Sequence, residues 1–292
     1  MSRDPRFERA WLRAAFEAAA TRYDGAAAFQ REVAERLLER LDLIRLKPTR
    51  VLDVGAGTGY CTRALMRRYR KSEVFAIDIA PGMLAAARRE APRFFSRQHF
   101  VCGDAERIPS RTDTFDLVFA NLTLQWCADL SAALGELWRV CSPGGLLVFT
   151  TLGPDTLREL RQAWALVDHY AHVNDFLDMH VIGDALVAAG FGDVVTDVDR
   201  MSRTYPDVLA LMRNLKDLGA HNVNRGRPRH LLGRSRIERL RHAYERYRTP
   251  AGLPASYEVV FGHAWKPLAP GAVPVHFHDR FHQATADEPR PQ

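Results

Sequence analysis

Nine consecutive residues constrain this chain more than any other feature: Val51-Leu52-Asp53-Val54-Gly55-Ala56-Gly57-Thr58-Gly59. A short apolar run leads into three glycines, and a helical pattern follows from about Cys61 to Tyr69. Glycines at alternate positions let the backbone turn tightly and approach a ligand without a Cβ clash. A strand that ends in such a turn and feeds a helix is the unit from which a parallel, doubly wound sheet is built. The chain repeats that unit. Strands are predicted at 50–54, 73–77, 98–102, 115–120 and 146–151, with helices at about 61–69, 83–90 and 130–140 between them. Ser142-Pro143-Gly144-Gly145 reads as a turn into the fifth strand.

On either side the pattern differs. Residues 7–46 read as helical with a break near Tyr23-Asp24-Gly25, and Val33, Leu37, Leu38, Leu41 and Ile44 supply one apolar face. After Thr151, helices are predicted at 155–170, with Asp155 as N-cap, and at 180–189. Strands at 191–198 and 256–263 bring the sheet to seven. Between them, helices at 206–219 and 235–247 are too long for a simple crossover and read as a cap over the carboxyl edge of the sheet. The predicted organisation is thus an N-terminal helical segment (1–48), a sheet core (49–200), a helical cap (201–255), a final core strand (256–266) and a proline-rich tail (267–292) without fixed structure. There are no internal repeats.

Composition narrows the class. With 292 residues, 47% hydrophobic and 26% charged, the chain has the profile of a globular protein rather than a disordered or collagen-like one. The four cysteines, at 61, 102, 127 and 141, form no C-x-x-C motif, so neither a metal site nor a disulfide framework is expected. No run of 18 apolar residues occurs, and Asp4, Glu8 and Glu17 interrupt the N-terminal helix, so no membrane span, no targeting segment and a cytoplasmic location are expected. The net charge of +6 is almost all arginine: only Lys47, Lys71, Lys216 and Lys266 are lysines. That bias fits either a GC-rich codon preference or a surface for anionic partners.

The glycine run itself selects a ligand. A dinucleotide loop is G-x-G-x-x-G, with a diphosphate at the helix N-terminus. Here the third glycine comes one residue early and Asp53 stands directly before the loop, where an acid repels a diphosphate but holds an amino group. This favours S-adenosylmethionine (SAM), whose amino-acid end carries an ammonium. Asp78 ends the second strand and is placed to accept from both ribose hydroxyls. Asp104, with Ala105 beside it, ends the third and is placed to accept from the adenine amino group, with Ile79 and Met83 on the ring faces. Asn121 ends the fourth. All lie on the edge where open parallel sheets bind ligands.

With these motifs in view (VLDVGAGTG, AIDIAPGML, GDAERIP, FDLVFANL and SPGGLLVFTT), residues 30–200 resemble the class I SAM-dependent methyltransferases. The resemblance implies a Rossmann-like α/β fold and assigns the cofactor to Asp53, Gly55, Ala56, Gly57, Gly59, Asp78, Ile79, Met83, Asp104, Ala105 and Asn121, with S-adenosylhomocysteine as product and no metal. A second, more specific resemblance covers about residues 10–267. Phe16-x6-Tyr23-Asp24-x5-Gln30, Leu122-Thr123-Leu124-Gln125-Trp126, Thr151-Leu152-Gly153-Pro154-Asp155-Thr156-Leu157, His172-Val173-Asn174-x-Phe176-x-Asp178-Met179-His180, Leu211-Met212-Arg213-Asn214-Leu215-Lys216 and Leu253-Pro254-Ala255-Ser256-Tyr257-Glu258 are similar to the malonyl-carrier-protein O-methyltransferases of biotin synthesis.

That likeness implies methylation of the free carboxylate of malonyl-acyl-carrier protein or malonyl-CoA. It implies no general base, since a malonyl carboxylate is already ionised at neutral pH. Tyr23 matches the family's N-terminal tyrosine and is expected either to close over the methyl group or to cap the helix junction. Arg213 is the candidate carboxylate anchor, and His172 and His180 flank a loop facing the same region. The family's partner is acidic, and arginines at 225, 227, 229, 234, 236, 239, 241, 246 and 248 crowd one segment of the cap. Arg236, Arg239 and Arg241 are the expected docking residues. Two other functions share parts of the pattern: a different small-molecule SAM methyltransferase, such as a quinone-type enzyme, and an arginine-hydroxylase-like respiratory-complex assembly factor. A nucleic-acid partner is not expected, because no N-P-P-Y-type motif occurs.

Overall fold

The strand that precedes the glycine run, β1 (Arg50–Val54), lies inside a seven-stranded sheet in the computed structural model, which describes residues 9–92, 96–220 and 233–268. β2 (Glu73–Asp78), β3 (Gln98–Cys102), β4 (Phe115–Ala120) and β5 (Cys141–Leu152) run parallel with it. β6 (Gly192–Tyr205) and β7 (Leu253–Trp265) complete the order β3-β2-β1-β4-β5-β7-β6, with β7 antiparallel to both neighbours. Strand order reverses between β1 and β4, which opens a crevice at the carboxyl ends of those two strands.

Successive side chains of a strand point to opposite faces, and here both faces are covered. Val51, Leu117, Val259 and Phe261 pack under α3 (Ala28–Arg40) and α4 (Tyr60–Arg68), meeting Phe29, Val33, Leu37 and Leu65. Their neighbours Leu52, Val118 and Val260 pack on the other face against Leu134 and Leu137 of α6 (Leu130–Val140) and Ile182 and Leu186 of α8 (Met179–Ala188). α5 (Pro81–Arg89) follows β2, and α7 (Arg158–Ala165) follows β5. α1 (Arg9–Ala19) and α2 (Tyr23–Ala26) precede α3, so the predicted break at Tyr23-Asp24-Gly25 is a separate short helix. α9 (Val208–Asp217) and α10 (Arg234–Glu245) lie between β6 and β7.

Three expectations need correction. β6 and β7 are longer than predicted, paired from Met201↔Tyr257 through Tyr205↔Leu253, so residues assigned to the cap at both of its ends belong to the sheet. Ser142–Gly145 do not make a separate turn. They form an irregularity inside β5, whose pairing with β4 jumps from Phe115↔Cys141 to Leu117↔Leu146. Asp155 is not an N-cap. Glu258 of β7 takes over that turn, accepting the Asp155 N–H on its carboxylate at 2.7 Å and the Gly153 N–H on its carbonyl at 2.8 Å. The helix therefore starts three residues later, at Arg158, and ends at Ala165 instead of Tyr170. The tail beyond Leu268 and the arginines at 225, 227 and 229 lie outside the described residues.

Candidate active site

The glycine run turns as its sequence requires. Gly55, Gly57 and Gly59 have φ of +70°, +54° and +81°, a region costly for any residue with a Cβ. The Gly55 and Ala56 N–H groups both donate to the Ile77 carbonyl, which fixes the turn to the end of β2. One residue on, Asp78 accepts the Gly57 N–H at 2.9 Å on one oxygen and the Ala80 N–H at 2.8 Å on the other. Each carboxylate oxygen retains a further acceptor site. Burial raises the Asp78 pKa, and the Ala80 and Gly57 N–H groups pull against it.

Around this turn lies a cavity of about 100 Å³. Gly55, Gly57, Asp78, Ile79, Met83, Asp104, Ala105 and Asn121 all line it, so the ends of four parallel strands converge there. α1 closes it from outside with Leu12, Phe16 and Arg9; the Arg9 guanidinium pairs with Glu106 and lies 3.4 Å from Asp104. Asn121 accepts the Thr150 hydroxyl at 2.8 Å and donates to the Gln30 carbonyl, which locks the end of β4 to β5 and α3.

A second cavity of about 300 Å³ adjoins the first, and Phe16, Tyr23, Leu122 and Trp126 line both. Phe16 and Trp126 meet edge to face at 5.3 Å. Tyr23 packs by Gly57, where a Cβ would stand 4.0 Å from its ring. Burial holds the Tyr23 phenol well above its ordinary pKa, with Asp78 adding to the effect, so the ring stays neutral. The second cavity is mostly apolar, with Leu160 and Trp164 from α7 and Met212 and Leu215 from α9. Its polar groups are few: Gln30, Gln125, Thr156, His172, Asn174 and the hydroxyls of Tyr23 and Tyr257. No lysine or arginine is among the described residues that line it. A glycine-walled chamber that holds Asp78, Asp104 and Asn121 thus opens through four apolar and aromatic side chains into a larger, mostly apolar one.

Comparison with known proteins gives the family and the fold class. A family model described as a methyltransferase domain matches residues 52–149. A malonyl-acyl-carrier protein O-methyltransferase from Methylovorus sp. (strain MP688) is 50% identical over 288 residues, covering 95% of this chain and 97% of its own. One of the same name from Halorhodospira halophila is 52% identical over 260 residues, covering 88% of each chain. The chain belongs to the malonyl-acyl-carrier protein O-methyltransferase family. Its fold is that of the class I methyltransferases: the solved structure of the YcgJ protein from Bacillus subtilis superposes with a TM-score of 0.58 at 16% identity, covering 80% of this chain and all of that one. This protein is accordingly a SAM-dependent methyltransferase.

In this methyltransferase, three of the eleven residues expected at the cofactor do not line the cavity. Asp53 shares the face of Val51, which turns it beneath α4, where it is 1% exposed and accepts the Thr62 hydroxyl at 2.5 Å. Burial pushes its carboxyl up to about 7. Ala56 packs against Ala76 and Leu84, and Gly59 starts α4, pressed close to Ala87. Among the substrate candidates, Tyr23 and His172 reach the second cavity and two do not. His180 is the first turn of α8 and faces solvent, its N–H capped by Asp178. Arg213 is exposed on the outer face of α9, since Met212 and Leu215 take the inner face and helical spacing turns the intervening residue away.

Arg239 and Arg241 are exposed on α10, and Arg241 pairs with Glu238 at 3.3 Å. Arg236 is half-buried and faces Asp168 at 3.9 Å instead. Residues without an assigned role in the sequence also line the cavities, Phe16, Trp126, Thr123 and Arg9 among them. The first two sit in family-like stretches that carry no individual signature; Arg9 is visible in sequence only as one arginine of an amphipathic helix. No group of three or more His, Cys, Asp or Glu side chains among the described residues is arranged to hold a metal ion, and no helix among them is long and apolar enough to cross a membrane.

Proposed function

We propose that this enzyme methylates the free carboxylate of a malonyl group carried as a thioester on acyl-carrier protein, an early step of biotin synthesis. The observation that carries the reading is the pair of cavities meeting at Phe16, Tyr23, Leu122 and Trp126. The first chamber suits the cofactor: Asp78 for the ribose hydroxyls, Asp104 for the adenine amino group, Ile79 and Met83 for the ring faces, and the glycine turn for the amino-acid end. When bound there, SAM supplies a methyl group on a positively charged sulfur. The second, apolar chamber suits a short acyl thioester.

The reaction needs little from the chain besides position. A malonyl carboxylate oxygen forms the new bond to the methyl carbon while the carbon–sulfur bond breaks and its electron pair stays on sulfur. A negative and a positive charge disappear together, and no proton moves. Water opposes such a step by solvating both charges, so aromatic walls that exclude it lower the barrier. Holding oxygen, carbon and sulfur in line contributes more, on the order of several kcal/mol. The neutral Tyr23 phenol fits this chemistry, because its task is to shape the junction and not to remove a proton.

The carrier protein is acidic, and the exposed Arg239 and Arg241 of α10, on the helical segment that packs against α7 and α9, offer it a complementary surface. The test is incubation with SAM and malonyl-acyl-carrier protein followed by intact mass measurement. A gain of one methyl group, absent with acetyl- and succinyl-carrier protein, is expected. No gain with the malonyl form, or an equal gain with the succinyl form, overturns the reading.

A further inference from the structure

The second cavity contains one side chain among the described residues able to carry positive charge, His172. The imidazole lies flat on Trp164, with ring centroids 3.6 Å apart and planes 6° from parallel. Its Nε2 is 2.7 Å from Asp168 Oδ1, and both side chains are nearly buried, at 7% and 10% exposure. Asp168 is itself engaged from two sides: the Tyr170 N–H donates to Oδ1 at 3.1 Å, and the Arg236 guanidinium reaches across from α10 to within 3.9 Å of Oδ2. Burial works against ionisation of Asp168, but its hydrogen bond to His172 and the Tyr170 N–H outweigh burial and lower its pKa.

The consequence follows from the tautomer. An Nε2–H committed to Asp168 leaves Nδ1 as the only imidazole atom for a ligand. Toward a carboxylate, Nδ1 has to act as a hydrogen-bond donor, and the ring is fixed for that role by the Asp168 carboxylate at its other edge and the indole of Trp164 against its face. We propose that His172 grips one oxygen of the substrate carboxylate through Nδ1, and that Asp168, braced by Arg236, is the positioning residue that orients it. The inference rests on the reading that the substrate ends in a free carboxylate. It also supplies a reason for product release. The methyl ester is neutral, so the charged acceptor that His172 holds is gone once the methyl group is in place.

The grip is measurable without turnover. In protein saturated with S-adenosylhomocysteine, malonyl-pantetheine and its methyl ester are titrated by calorimetry, and the ratio of the two dissociation constants reads the carboxylate contact alone. A charge-assisted hydrogen bond corresponds to a preference for the acid of about 10- to 100-fold in the wild type. His172→Phe, which keeps a ring to stack on Trp164, is expected to bring the ratio close to unity. Asp168→Asn is expected to reduce it about tenfold, since the amide keeps the shape but not the charge. S-adenosylhomocysteine affinity and methyl ester affinity stay within about twofold in both variants. A ratio unchanged in both variants overturns the proposal, as does a parallel loss of acid, ester and S-adenosylhomocysteine binding, the mark of a merely structural role. Failure of the wild type to methylate malonyl-acyl-carrier protein in the mass assay, with the His172-dependent preference intact, sinks the functional reading and leaves the grip standing.

Discussion

The Thr58 hydroxyl donates to the Asp24 carboxylate at 2.6 Å and so ties α2 to the glycine turn. Thr58 is 3% exposed and belongs to the turn, whereas Asp24 belongs to the segment that carries Phe16 and Tyr23 into both cavities. The bond thereby couples the position of the N-terminal helices to the cavity at the glycine turn. Removing it in Thr58→Ala is expected to weaken SAM binding about three- to tenfold, the value of one hydrogen bond to a partly exposed charge. Thermal stability changes little, and Thr58→Ser restores affinity. Equal affinities for Thr58→Ala and the wild type would show that the N-terminal segment is held by its apolar contacts alone.

Gly55 sets a harder limit. Its φ is +70°, and a Cβ there would stand 2.2 Å from Thr123 Oγ1 and 2.6 Å from Thr123 Cγ2. Thr123 has little room to retreat, because its hydroxyl donates to the Val54 carbonyl at 2.8 Å. Gly55→Ala combines backbone strain with overpacking and is expected to cost about 3 kcal/mol or more of stability, together with loss of SAM binding. Adding Thr123→Gly relieves the collision but not the strain, so the double variant recovers part of the stability. Thermal melts with and without SAM measure both effects; a Gly55→Ala protein that melts like the wild type would contradict the close approach.

How far the sequence reveals this arrangement depends on whether the cause is local. β1, β2 and β4 are legible because each is a short, largely apolar run inside the sheet, and the eight expected residues that line the first cavity follow from lying at or beside strand ends. Asp155 misleads because its turn is organised by Glu258, 103 residues away, which no local pattern announces. Arg213 misleads through helix phase: α9 turns Met212 and Leu215 inward, and that orientation is set by packing. Asp53 precedes the glycine turn as the motif suggests, yet the pleat of β1 directs it under α4. The spacing of Asp168 and His172, four residues apart, is visible in sequence, but only the stacking on Trp164 and the approach of Arg236 give it meaning.

The buried Asp53 makes stability pH-dependent. Burial, the largest influence, raises its pKa to about 7 in the folded protein, with Asp78 adding to it and the Thr62 hydroxyl opposing. In the unfolded chain the same carboxyl titrates near 3.9. Between about pH 4 and pH 7 the folded state therefore holds a proton that the unfolded state has released, and stability falls as pH rises through that window. The full effect is about 4 kcal/mol, reached above pH 7. Asp53→Asn has no such proton to lose, so its stability relative to the wild type is expected to improve between pH 4 and pH 8. Denaturant melts of the cofactor-free proteins across that range test this; parallel stability curves would show that Asp53 ionises normally in the folded state.

Arg239 and Arg241 offer a test of the docking surface that is separable from the active site. Both are exposed on α10, and neither lines either cavity. Arg236 is unsuitable for the purpose, because reversing its charge would also disturb Asp168 and through it His172. A double reversal, Arg239→Glu with Arg241→Glu, is expected to lower kcat/KM for malonyl-acyl-carrier protein about tenfold at low salt, chiefly through slower association. The deficit shrinks toward the wild-type value as salt screens the surface over a Debye length of about 10 Å at 0.1 M. Malonyl-CoA, which brings no acidic helix to the surface, serves as the internal control and loses less than the carrier-linked substrate. Steady-state kinetics on the two substrates over a salt series decide the matter: an equal loss on both, or a loss on the carrier substrate that salt does not relieve, would place the docking contact elsewhere on the protein.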